Sequence, residues 1–138
     1  MKLEREGKAP IVDPSPERLA RELRKLRTVG PSSFAILTAS SGDYLQAAGS
    51  PGGLLLEKRH ASGRHFRAFQ QPAVVGFADG TVLVLAMGDI KLRAGEWFKL
   101  SQVLEAFVAF ARGQPEPDYL LWRDITQLLS RPVDPRAS

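Results

Sequence analysis

The sequence contains no cysteine. This absence excludes disulfides, thiolate metal ligands and cysteine nucleophiles, and it fits a reducing compartment. The chain also has no apolar run near the about 18 residues that a membrane-spanning helix requires. Its charged first residues are not followed by the hydrophobic segment of a signal peptide. We therefore expect a cytoplasmic protein that does not enter a membrane.

Motifs of the common enzyme classes are also absent. No Gly-x-Ser-x-Gly elbow occurs, and the glycine-rich residues 49–53 precede neither a helix nor a Walker lysine. The two histidines, His60 and His65, flank one turn, but a metal site would need a third ligand. Glu57 on a strand and Asp43 at a turn could approach each other, but their neighbours give no reason for a shifted pKa, and Asp79, Asp118 and Glu17 have turn, cap and helix-start roles, so no catalytic carboxylate pair is expected. We expect neither an enzyme nor a bound metal or cofactor.

The length of 138 residues, with 43% hydrophobic and 25% charged residues, fits one globular domain. Residues 1–14 show no periodicity and are interpreted as a flexible N-terminal arm. Residues 15–130 form the expected single domain. Residues 131–138 contain two prolines and are interpreted as a disordered tail.

Hydrophobic periodicity predicts an α+β fold. Ser15, Pro16 and Glu17 are typical of a helix start, and that helix is expected to run to about Val29. Alternating patterns from residue 34 to 69 predict short strands, and a hairpin is expected over 74–86 around an Asp-Gly turn. An apolar helix over 100–111 and a second helix capped by Asp118 follow. We expect a meandering antiparallel sheet of five to six strands, with one N-terminal and two C-terminal helices packed mainly on one face.

The formal net charge is +4, and residues 57–70 hold four Lys/Arg against a single acid, Glu57, together with both histidines. On the strand 64–69, Phe66 and Ala68 are expected to face one way and His65, Arg67 and Phe69 the other. Basic groups beside aromatics on a hairpin are typical of single-strand nucleic-acid binders. A small nucleic-acid-binding module is therefore one alternative, although acids are interspersed and no ribonucleoprotein aromatic motif occurs.

The second half of the chain has an order of residues found in a known group of proteins. Phe107 and Phe110 lie in the last turns of an apolar helix, Gly113 and Pro115 break it, and Trp122 follows. Together with the preceding hairpin, this arrangement resembles small bacterial immunity proteins of polymorphic toxin systems, in the group that includes partners of deaminase toxins. The resemblance covers roughly residues 15–126.

The resemblance implies a non-catalytic protein that binds a cognate secreted toxin and occludes its active site. Inhibitors of toxins that act on nucleic acids are commonly acidic, whereas this chain is basic, which suits a toxin with an acidic or mixed surface. An effector chaperone or adaptor that holds a toxin without inhibiting it is a further alternative. The expected partner-binding residues are Arg59, His60, Arg64, His65, Arg67, Glu116, Asp118, Tyr119 and Arg123.

Overall fold

The computed structural model describes residues 1–86 and 88–130. The expected disordered tail, 131–138, lies outside the described residues. The elements in chain order are β1 (Lys2–Arg5), β2 (Lys8–Val12), α1 (Pro16–Arg24), β3 (Phe34–Thr38), β4 (Tyr44–Ser50), β5 (Gly53–Arg59), β6 (His65–Phe69), β7 (Val82–Leu85), β8 (Gly88–Lys91), a 3-10 turn (Ala94–Glu96), α2 (Leu100–Ala111), β9 (Leu121–Asp124) and α3 (Thr126–Ser130).

The predicted α+β class is confirmed, with an antiparallel sheet, one N-terminal helix and two C-terminal helices. Seven strands form the main sheet in the order β2-β1-β3-β4-β5-β6-β9, and β7 and β8 form a separate two-stranded sheet. Every pairing is antiparallel. The strands outnumber the five to six expected, because strands at both ends of the chain join the sheet.

The start of α1 follows its local sequence. The Ser15 hydroxyl accepts a hydrogen bond from the Arg18 N–H at 3.1 Å, and Pro16 occupies the first turn, where no N–H is needed. The helix ends at Arg24 instead of near Val29. The N–H of Arg27 bonds to the carbonyl of Ser32, so the chain turns away from the helix axis before Gly30.

The two longer helices cover one face of the main sheet. Helix α2 packs on β4 and β5, and α1 packs beside α2. Residues that alternate along the strands meet the apolar stripe of each helix, which buries them from water. This core includes Leu3, Leu19, Leu23, Leu37, Leu45, Leu54, Leu56, Phe98, Val103 and Phe107.

A second apolar cluster lies on the opposite face of the sheet. Leu55 and Ala48 point away from the helices and pack against Leu83 and Leu85 of the β7–β8 hairpin, with Trp97 beside them. The hairpin covers only part of this face. The rest of it carries the charged residues described below.

The prediction that residues 1–14 are a flexible arm is wrong. Strands β1 and β2 form a hairpin, and β1 pairs with β3 along its whole length. Leu3 is fully buried, and the Arg5 guanidinium donates to the buried Glu22 carboxylate of α1 at 2.6 Å. Strand β2 shows no alternation of polar and apolar residues in the sequence because it lies at the edge of the sheet and is largely exposed on both faces.

The hairpin predicted over 74–86 is also wrong. Residues 73–78 form no strand, and the observed hairpin joins β7 to β8. Asp79 and Gly80 do form a turn, closed by a hydrogen bond from the Thr81 N–H to the Ala78 carbonyl. The Asp79 carboxylate accepts from the backbone N–H of Ala94 at 2.6 Å, which ties this turn to the chain beyond β8.

The last helix begins later than expected. Leu121 and Trp122 lie on strand β9, paired with Phe69 and Ala68 of β6, and Asp118 caps no helix. Helix α3 starts at Thr126, whose N–H bonds to the carboxylate of Asp124 at 2.9 Å. Pairing with the open edge of β6 outweighs the helical spacing of the apolar residues in this segment.

Candidate protein-binding surface

Strands β5, β6 and β9 position most of the sequence-predicted binding residues. In the register of these strands, Glu57 lies opposite Arg67, and Arg67 lies opposite Arg123. Lys58 lies opposite Phe66 in the same way. Residues paired across strands share a face of the sheet, and successive residues along a strand alternate between faces. Glu57, Arg67 and Arg123 therefore point to one side of the sheet, and Lys58 and Phe66 to the other. The predicted alternation along 64–69 is confirmed.

The face opposite the helices holds a network of five charged or titratable residues, here named the buried charge network, of which all but the partly exposed Arg123 are buried. The Glu57 carboxylate forms a hydrogen bond with His65 Nε2 at 3.0 Å and accepts one from Arg67 Nε at 2.8 Å. Glu96 of the 3-10 turn accepts from Arg123 Nε and Nη2 at 3.0 and 2.8 Å. Arg67 Nη1 lies 4.0 Å from Glu96 and joins the two groups. His65 and Arg67 are therefore buried within the fold and matched by carboxylates.

The Glu57 carboxylate is the anionic centre of this network. Burial alone raises the pKa of Glu57, but the hydrogen bonds from His65 and Arg67 and the charge of Arg67 lower it by more. The net pKa lies below the ordinary value for glutamate. Glu57 is consequently ionised at neutral pH and compensates the buried Arg67.

On the helix side, a Lys–Trp–Glu cluster lies at the edge of the sheet. Lys58 Nζ lies 4.1 Å from the centre of the Trp122 ring, which is a cation–π contact. Glu116 accepts from Trp122 Nε1 at 3.1 Å and from Lys58 Nζ at 3.1 Å. The Trp122 ring is held flat against the lysine and is only half-buried.

Phe66 lies beside this cluster and is also half-buried. The Arg64 guanidinium lies 5.2 Å from the Phe66 ring, and the His60 ring meets it edge-on at 5.3 Å. Arg64, which is 63% exposed, also donates to Asp124 at 2.8 Å. That hydrogen bond, with those from Thr126, holds the pKa of Asp124 well below its usual range. We name this surface the edge patch; it comprises Lys58, His60, Arg64, Phe66, Glu116 and Trp122.

Strand β9 forms one border of the main sheet. It pairs with β6, and no other strand within residues 1–86 and 88–130 pairs with it. An edge strand leaves backbone groups available to an added strand. The edge patch therefore combines partly buried aromatic side chains with an open sheet edge.

The remaining predicted residues lie outside this patch. Arg59 and Asp118 are exposed, at the end of β5 and in the loop before β9. The single proton of the Tyr119 hydroxyl lies within hydrogen-bond distance of two acceptors, the Gln102 carbonyl at 2.8 Å and the Glu105 carboxylate at 2.9 Å. Burial, followed by the hydrogen bond and charge of Glu105, raises the pKa of Tyr119. Tyr119 thus fastens the β9 loop to α2.

A cavity of about 540 Å³ adjoins the buried charge network on the β9 side. Arg93, Glu96, Trp122 and Arg123 contribute to its lining, as does the backbone at Gly95. Among the described residues, no group of three or more histidine, aspartate or glutamate side chains is placed to hold a metal ion. No helix in the described part of the chain is long and apolar enough to cross a membrane.

Sequence reasoning missed several members of these clusters. Lys58, Phe66 and Trp122 were not predicted as surface contacts, although their alternation with buried neighbours marks the face on which they lie. Glu57 and Glu96 were missed because their partners are set by sheet register and by a turn far along the chain. Comparison with protein families finds no family model that matches the chain, and comparison with curated proteins finds no match.

Proposed function

We propose that this protein is an immunity protein that binds a cognate secreted bacterial toxin in the cytoplasm and blocks access to the toxin's active site. The observation that carries the proposal is the edge patch, in which the partly buried rings of Phe66 and Trp122 lie at the surface beside Lys58 and Arg64. Aromatic and arginine side chains of this kind are enriched at the centres of protein interfaces. The sequence resemblance to immunity proteins supports the same conclusion.

The charges of the edge patch favour a protein partner over a nucleic acid. Lys58 lies 3.1 Å from Glu116, and Arg64 lies 2.8 Å from Asp124. Nucleic-acid binding depends on cations that neutralise phosphates, whereas here each of these cations has a carboxylate beside it. A surface of mixed charge around aromatic residues suits the polar rim and apolar centre of a protein interface.

In this proposal, Trp122 and Phe66 act as the central anchors and the surrounding charges orient the toxin. Glu116 keeps Trp122 in one orientation through the indole N–H, so little side-chain freedom is lost on binding. Arg64 and His60 extend outward and contribute to the rate of association. Inhibition follows from steric occlusion and needs no chemistry from this chain.

The test begins with the full chain as bait in an extract of the native host. The captured enzyme domain is then produced separately, and its activity and its toxicity to cells are measured with and without this protein. We expect a one-to-one complex, inhibition of the enzyme and rescue of growth. Trp122→Ala should weaken binding by about 2 kcal/mol, roughly thirtyfold, and Arg64→Glu should weaken it as well.

The control is Arg21→Glu on α1, which changes an exposed residue outside the edge patch by the same charge and should bind normally. Thermal unfolding of each variant separates lost binding from lost folding. A captured protein that stays active and lethal would contradict immunity and favour an adaptor. Recovery of nucleic acid alone, with binding that falls steeply with salt, would contradict it in favour of a nucleic-acid module.

A further inference from the structure

The β7–β8 hairpin carries exposed residues on the face that points away from the main sheet. Val82 and Val84 of β7 are 42% and 60% exposed. They lie opposite Lys91 and Asp89 of β8, both exposed, while Leu83 lies opposite Ile90 on the inner, packed side. The outer face thus has two valines on one strand and one charge of each sign on the other.

The backbone of β8 leaves one edge open. The Leu92 N–H donates to the Thr81 carbonyl, and the Leu92 carbonyl accepts from the adjacent Gly80 N–H, so Leu92 points its backbone groups toward the β7 side, in line with the hairpin. Hydrogen-bonded and non-bonded pairs alternate along an antiparallel ladder, so Ile90 points its N–H and C=O toward β7. Those of Asp89 and Lys91 point away from it. Within the described residues, β8 pairs with β7 alone.

This edge is complementary to itself. If two copies of β8 pair antiparallel about Ile90, Asp89 of each copy lies opposite Lys91 of the other, on the same face. In this arrangement the outward-pointing N–H and C=O groups of Asp89 and Lys91 form the hydrogen bonds between the two copies. The two Ile90 side chains meet on the inner side of the sheet. Opposite charges in directly facing positions stabilise a strand pair. Neither Asp89 nor Lys91 takes part in an ion pair among residues 1–86 and 88–130.

The edges of the main sheet offer no such match. Strand β2 contains Pro10, which lacks an N–H and disfavours an added strand. In β9, the residues that share a face are Leu121 with Arg123 and Trp122 with Asp124, so neither face carries charges of both signs. A two-fold dimer requires one surface that fits itself, and β8 meets this requirement.

We propose that a second copy of this chain pairs with β8, antiparallel and centred on Ile90, so that the two hairpins form one four-stranded sheet across a two-fold axis. A two-stranded hairpin is only marginally stable alone, and four strands share a larger backbone ladder. This dimer is independent of the proposed immunity function, since the edge patch lies on other strands.

The test measures the mass of the full-length protein by sedimentation over a range of concentrations. We expect a dimer whose dissociation constant rises about tenfold in Asp89→Lys and in Lys91→Asp, because each change places two pairs of like charges face to face. The double variant Asp89→Lys/Lys91→Asp restores both pairs with their signs exchanged and should regain the wild-type dissociation constant. Arg21→Glu, an exposed charge change on α1, serves as the control and should dimerise normally.

Circular dichroism and thermal unfolding of each variant verify that the monomer fold is retained. A wild-type protein that stays monomeric at every concentration overturns the proposal. A dimer that both single variants leave intact but that Val84→Lys dissociates also overturns it, because the contact would then be face to face. Failure of the double variant to recover the dimer would show that the two charges do not face each other.

Discussion

Replacing Glu57 with glutamine tests the contribution of the buried charge network to stability. Glu57 accepts hydrogen bonds from His65 at 3.0 Å and from Arg67 at 2.8 Å, and Arg67 is only 8% exposed. Glutamine has nearly the same size, so the packing of the strand is preserved. What changes is the charge, which leaves Arg67 buried beside a neutral amide.

The expected loss follows from removing one partner of a buried ion pair, which costs about 3–5 kcal/mol. The amide oxygen of glutamine can still accept from one of the two donors, so we expect the lower end of this range, about 3 kcal/mol. For a chain of 138 residues, this loss lowers the Tm by about 10 °C.

The effect should also depend on pH, in a direction that the structure sets. The pKa of Glu57 is lowered in the folded protein, so the unfolded chain binds a proton at this site more readily. The stabilisation is complete above the ordinary pKa of 4.5 and is lost as the pH falls through the lowered value. The wild-type protein loses this stabilisation in acid, whereas the Glu57→Gln variant lacks it at every pH. The stability difference between them should therefore narrow below pH 4.5.

Urea unfolding at several pH values, followed by circular dichroism, measures this difference directly. Glu116→Gln is the matched control, since Glu116 also bonds two partners but its side chain is 49% exposed. It should change the free energy of unfolding by less than about 1 kcal/mol. A Glu57→Gln protein as stable as wild type at pH 7, or a difference that does not change with pH, would refute the reasoning.

Two further predictions concern packing. Leu3→Ala should lower the free energy of unfolding by about 3 kcal/mol because Leu3 is fully buried. The control is Val12→Ala, at a residue 72% exposed, which should change the free energy of unfolding by less than about 0.5 kcal/mol. Equal effects of the two changes in chemical denaturation would mean that the N-terminal hairpin is not part of the core. Gly95→Ala should destabilise by about 2 kcal/mol, because its Cβ would lie 2.5 Å from the Gln70 carbonyl oxygen. Gly52→Ala, with nothing within 4 Å of the added carbon, is the control, and a Gly95→Ala variant as stable as the control would count against the observed fit.

The sequence correctly predicted the structural elements that depend only on residues close together in the chain. The Ser15 cap, the strand alternation around Phe66 and the apolar stripe of α2 all required only neighbouring residues, and each is observed. The α+β class followed from these signals and from the short links between strands. The burial of Leu19 and Leu23 followed from their helical spacing.

Two of the strands that were missed take part in contacts distant in sequence. Strand β1 pairs with β3 as well as with its neighbour β2, and β9 pairs with β6. The predicted site was divided for the same reason: His65 and Arg67 are buried by Glu57 and Glu96, whose positions depend on register and on a turn. Cations that look available in the sequence acquire partners when the sheet forms.

The position of β9 has a consequence for the synthesis of the protein. Its partner β6 is complete by Phe69, but residues 121–124 leave the ribosome only after the β7–β8 hairpin and α2 have been made. Until then, the nascent chain has neither Trp122 nor the Arg123 that pairs with Glu96. The edge patch is therefore assembled only once β9 has been made, so a chain interrupted before β9 cannot present it, and binding through this patch would report that synthesis and folding have passed β9.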